Sequence, residues 1–98
     1  MTAASIIRIT SLRAAPGRRA GLIAAAHENA SAARAADGCR SAEVCEEPDD
    51  TDTVVVISRW ESEDALQAFL AWHRRIAHAS LADFAAAPPV ERHLAVVR

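Results

Sequence analysis

The chain has 98 residues, a net charge of −2 and an isoelectric point near 6.0, which fits one domain (residues 1–98) and excludes the basic face of a general nucleic-acid binder. Hydrophobic residues make up 51% of it, so the chain is globular rather than disordered. Every one of its 11 basic residues is arginine and it has no tyrosine, which excludes lysine Schiff-base chemistry and any tyrosine-borne oxyanion donor or radical.

Residues 5–13 (SIIRITSLR) read as a strand. Ile7 and Ile9 point to one face, and Ile6 and Leu12 point to the other with Arg8 and Thr10 between them. Arg8 interrupts the only apolar run near the start, so no secretory leader is expected, and no run is long enough to span a bilayer. Pro16-Gly17 breaks the strand, with Pro16 expected in the first turn of a helix over 16–36. Leu22, Ile23, Ala26, Ala30 and Ala33 give that helix a thin apolar stripe, and Asp37-Gly38 ends it with Gly38 in the left-handed position.

Residues 40–46 read as a second strand, followed by the acidic turn Glu47-Pro48-Asp49-Asp50. The third strand, 53–61, carries Val54, Val55, Val56 and Ile57 on both of its faces, the pattern of an interior strand covered on both sides. Ser62 is an N-cap for a second helix, with Glu63 and Asp64 suited to its dipole. Helical patterning runs over 66–87, with a kink expected near 71–75, until Pro88-Pro89 stops it. Residues 90–97 read as the last strand. Cys39 and Cys45 are six positions apart; in one strand, at about 3.3 Å per residue, they lie too far apart to bridge, and two free thiols suit a cytoplasmic setting.

The order β-α-β-β-α-β predicts an α+β, ferredoxin-like domain: a four-stranded antiparallel sheet with both helices on one face and strands one and three in the centre. The opposite face, rich in Ile, Val and Cys, would be bare in a monomer, so a homodimer with facing sheets is expected.

The segment TVVVISRWESEDALQAFL (53–70) resembles the antibiotic biosynthesis monooxygenase family. So does its setting: a first strand leading into Pro16-Gly17, a helix ending in Asp37-Gly38-Cys39, an acidic loop before the Trp60 strand, and Pro88-Pro89 before the last strand. The resemblance implies a dimeric α+β barrel. It also implies a range of roles, among them cofactor-free oxygenation of phenols, anthrones or quinols, haem degradation and isomerisation. Many members carry a His nine positions after the strand-end Trp, where this chain has Phe69. Haem-degrading members carry a Trp at that place, a His about ten residues further on and an Asn on the first strand. Here Thr10 stands near the Asn position, and His78 meets the haem-ligand position only with a gap.

His73 is the sharpest catalytic candidate. With Leu66, Phe69, Leu70, Ile76 and Ala77 it shares a helical stripe, and an imidazole in an apolar pocket can take a phenolic proton. Trp72, Phe69, His78 and Trp60 are the candidate substrate-lining residues, with core packing as the competing reading for Trp72 and strand-end anchoring for Trp60. His27 and His93 are weighed as cavity residues or part-exposed histidines, and Arg59 as a cross-sheet partner of Glu43. Glu46, Glu47, Asp49, Asp50 and Asp52 suit a solvated loop better than a metal site. Two main readings follow. One is a cytoplasmic, cofactor-independent monooxygenase taking a small aromatic substrate and O₂, with no resident cofactor, metal, nucleic acid or membrane. The other is a non-catalytic dimeric binding module of the same fold; a haem-binding relative is a third.

Overall fold

The computed structural model describes residues 4–75 and 81–98. Its elements run β1 (Ile6–Arg13), α1 (Arg19–Ala35), β2 (Cys39–Glu47), β3 (Asp50–Trp60), α2 (Glu63–Arg75), a 3₁₀ turn (Leu81–Phe84) and β4 (Val90–Ala95). All strand pairs are antiparallel and the sheet order is β2-β3-β1-β4. This is the predicted ferredoxin-like sheet, with the two strands richest in β-branched residues at its centre.

Side-chain alternation sorts the sheet into two unlike faces. Register pairs Ile6 with Trp60, Arg8 with Ser58, Thr10 with Val56 and Leu12 with Val54. Apart from part-exposed Arg8, these side chains are buried, and they form the floor beneath the helices. Helix α1 lays Leu22, Ala26, Ala30 and Ala33 on that floor, its alanines allowing close approach, and α2 adds Leu66, Phe69 and Leu70. On the opposite face Ile7, Ile9, Val55 and Ile57 are only half-buried, and Val90 and Leu94 on β4 are exposed. The cover expected on both sides of β3 is therefore present on one side within a single chain.

Local chemistry explains the element ends. Ser62 caps α2: its Oγ accepts the Ala65 N–H at 3.1 Å. Gly38 has φ +85, as predicted, and a Cβ there would lie 2.5 Å from Ala65 Cβ. Its carbonyl accepts the Glu61 N–H at 2.8 Å, so the α1–β2 turn and the β3–α2 junction are tied together.

Four expectations change. Pro16 is not in the first turn of α1. A turn from Ala15 to Arg18, closed by the Arg18 N–H to the Ala15 carbonyl at 2.9 Å with Gly17 at φ +74, delays the helix to Arg19. Helical structure does not continue to residue 87. Leu81–Phe84 is a 3₁₀ turn, Ala85 bridges to Ala14, and the Ala86 N–H donates to the Arg13 carbonyl at 2.8 Å. The acidic loop is shorter than expected, because β2 and β3 close around Pro48-Asp49 with Glu47 paired to Asp50. Asp50 accepts from Arg13 at 2.8 Å and from the Thr53 hydroxyl at 2.7 Å, and Glu46 pairs with Arg19. The expected kink over 71–75 is not seen as a break, since α2 runs unbroken to Arg75.

Candidate functional site

Helix α2 presents Phe69, Trp72 and His73 at neighbouring positions on one side, the spacing that lets side chains three and four apart meet. Phe69 is buried, with its ring centroid 5.0 Å from Trp60, 6.1 Å from Trp72 and 5.1 Å from His73, on which it stacks at 30°. Trp60 is wholly buried and its Nε1–H donates to Ser58 Oγ at 2.9 Å, so it anchors the strand end beneath the cluster. Trp72 is half-exposed and His73 half-buried. Both line an open groove of about 440 Å³ whose other wall is α1, with Glu28, Asn29 and Ala32. A second hollow of about 430 Å³ shares Ala32, Ala35 and Trp72 and reaches Phe69. His78 lies outside the described residues, as do Ile76 and Ala77 of the expected stripe. His27 is exposed on α1. Arg59 faces Ser41 rather than Glu43 and forms no ion pair among the described residues.

A second group of polar side chains sits on the helix-facing side of β1 and β4. Register sets Arg8 opposite His93 and Thr10 opposite Glu91, and places all four on the Ile6–Leu12 face. Arg8 donates to Glu91 Oε1 through Nε at 3.0 Å and also through its terminal nitrogen. Glu91 Oε2 lies 3.0 Å from His93 Nε2. Thr10 Oγ1 is buried and has no hydrogen-bond partner among the described residues. Burial alone would raise the Glu91 carboxyl, but the hydrogen bonds and charge of Arg8, helped by His93, outweigh it and hold it below the usual carboxylate range.

The sequence reading reached His93 but missed Arg8, Thr10 and Glu91. The available signal was an arginine and a threonine alternating with Ile6 and Leu12 on the buried side of a central strand. Cys39 and Cys45 are free thiols, and burial pushes the Cys39 thiol up, away from nucleophilic use. Among the described residues no His, Cys, Asp or Glu cluster is placed to hold a metal ion, and no helix is long and apolar enough to cross a membrane.

The βαββαβ order and the β2-β3-β1-β4 sheet define a ferredoxin-like domain. The sequence model for antibiotic biosynthesis monooxygenase matches residues 5–84, and the chain belongs to that family. Among solved structures it is similar to Rv0793 from Mycobacterium tuberculosis, at 23% identity and TM-score 0.77, covering 96% of each chain. It is similar to PA3566 from Pseudomonas aeruginosa at 18% identity and TM-score 0.78, covering 100% of this chain and 99% of that one. A Chloroflexus aurantiacus protein provisionally named an antibiotic biosynthesis monooxygenase shares 27% identity at TM-score 0.69, covering 96% and 94%. No curated protein matches the chain.

Proposed function

We propose that this protein is a cofactor-independent monooxygenase that oxidises an aromatic polyketide-like or quinol substrate with O₂. The observation that carries the reading is the Trp60–Phe69–His73 stack opening onto the groove between α1 and α2 in a member of this family. A planar ring would lie against Trp72 and Phe69, with Trp60 backing the wall and His73 taking a proton from the substrate. The resulting phenolate or carbanion passes one electron to O₂, and the two radicals combine to a peroxide. Loss of water then leaves a carbonyl, so that a CH₂ and O₂ become C=O and H₂O. The electrons come from the substrate itself.

The assembly in this proposal is a homodimer of facing sheets. Its support is the half-buried face of Ile7, Ile9, Val55 and Ile57, bordered by Glu43, Arg59 and Arg92, which offers both charge signs to a second copy.

The test is oxygen uptake with a panel of anthrones and quinols. Removing a general base is expected to lower turnover about 10²–10⁴-fold in His73→Ala. Equal turnover in that variant removes His73 from the mechanism. No uptake with any member of the panel favours the non-catalytic binding module.

A further inference from the structure

We propose that the groove between α1 and α2 selects an organic cation, an aromatic body bearing a protonated amine, with Glu28 as the residue that sets this preference. The inference rests on the reading above only in taking that groove as the substrate site, and it adds the charge of the substrate.

Helical spacing builds the wall that matters. Glu28, Ala32 and Ala35 follow one another at i, i+4 and i+7, so they form a stripe of α1 beside the buried stripe of Leu22, Ala26, Ala30 and Ala33. That wall lies opposite Trp72 and His73 in the first hollow, and Ala32, Ala35 and Trp72 also line the second. The two hollows therefore share a wall, with Glu28 on the first and Asp37 on the second. The small alanine side chains leave room for a flat ring beside the indole.

The charge of these hollows is one-sided. Among the described residues no arginine lines either of them. Both arginines of α1 are engaged elsewhere: Arg34 Nη1 donates to the Ala42 carbonyl at 2.8 Å, and Arg19 Nε donates to the Thr51 carbonyl at 2.7 Å. The described base on the walls is His73, and a proton acceptor is neutral before it acts. Glu28 is exposed and forms no ion pair among the described residues. Asn29, next to it in the same wall, offers a side-chain carbonyl as a further acceptor. Trp72 is 50% exposed, whereas tryptophan is mostly buried on average, and the face of an indole attracts a cation within about 6 Å. Charge complementarity thus names the occupant: an ammonium between Glu28 and Trp72, with its ring over Ala32 and Ala35. A carboxylated ring of the same size would bring its negative charge against Glu28 and is disfavoured.

The test needs no turnover. Phenethylammonium, 2-phenylethanol and phenylacetate share one ring and differ in a cationic, neutral or anionic tail. Their binding to the full chain is measured by titration calorimetry at low salt and neutral pH, where the amine is protonated. Wild type is expected to bind the ammonium about three- to tenfold tighter than the alcohol, and phenylacetate weakest. Glu28→Gln, with its fold checked by circular dichroism, is expected to bring the ammonium and the alcohol within about twofold of each other. Asp49→Asn removes an equal charge from the β2–β3 turn and is expected to keep the wild-type ranking, which separates the groove from net charge. Equal affinity for the ammonium and the alcohol in wild type overturns the proposal, and so does the absence of measurable ammonium binding. An undiminished preference in Glu28→Gln also overturns it, as does the same loss in Asp49→Asn. Oxygen uptake without a cation preference sinks this proposal alone, and a cation preference without oxygen uptake sinks the oxygenation reading alone.

Discussion

The two faces of the sheet are built from the same strands, residue by alternate residue, yet they differ in kind. The helix-facing side holds a packed floor from Trp60 to Leu12, interrupted by one polar island of Arg8, Thr10, Glu91 and His93. The other side carries a central apolar patch of Ile7, Ile9, Val55 and Ile57, half-buried, flanked by Glu43, Arg59 and Arg92 and left uncovered by the described residues. The difference shows that burial is not a matter of hydrophobicity here. Ile9 and Ile57 are more apolar than Thr10 and Ser58, but they are the more exposed. An apolar face left open is suited to cover by another surface, whereas the polar island satisfies itself by the Arg8–Glu91–His93 contacts at the sheet's edge.

The contrast can be broken at several places. Trp60→Ala removes the largest buried side chain and its bond to Ser58, so stability is expected to fall by about 3–5 kcal/mol in urea unfolding. A loss under about 1 kcal/mol would mean that the floor is not the core. Gly38→Ala puts a Cβ against Ala65 in a left-handed backbone, with an expected loss of about 2–4 kcal/mol by the same measurement. On the other face, Ile57→Asp is expected to change monomer stability by roughly 1 kcal/mol or less, since the site is already half-exposed. It should nonetheless shift sedimentation from dimer to monomer, and an unchanged sedimentation coefficient would refute the facing-sheet assembly. Ser62→Ala removes the α2 cap and is expected to cost about 1 kcal/mol.

The smallest expected effect sharpens the polar island. A carboxyl held low in the folded state adds stability above its unfolded pKa and loses it as pH falls through the folded value. Glu91 is of this kind, against an ordinary value of 4.5. Wild type should therefore exceed Glu91→Gln by up to about 1 kcal/mol near neutrality, solvent screening limiting the gain. The gap should close as pH drops below 4.5. A gap that widens in acid would show that Arg8 does not hold the carboxylate ionised.

Much of this architecture is readable in single residues. The alternation of Ile6, Ile7 and Ile9, the cap at Ser62 and the turn at Gly38 each state their structure locally, because each rests on a one-residue preference. The misread places are those where a distant strand overrides local propensity. Alanines 85–87 suit a helix, yet Ala85 and Ala86 bond to the chain around Arg13 and Ala14. The aromatic part of the site was legible because Phe69, Trp72 and His73 share one helix. The polar part was not, because Arg8 and Glu91 are separated by 83 positions and only the β1–β4 register brings them together.

Strand β4 is bonded to the sheet along one edge only, and all six of its residues are exposed. In such a strand few buried contacts resist local opening, so its amides are the ones that exchange with solvent before the central strands do. Glu91 and His93 ride on this strand, whereas Arg8 and Thr10 are fixed in the middle of the sheet. The polar island is thus assembled from a rigid half and a detachable half. The Arg8–Glu91 ion pair and the pairing of the last strand are therefore two readings of one equilibrium, so whatever breaks the pair also loosens the edge of the fold.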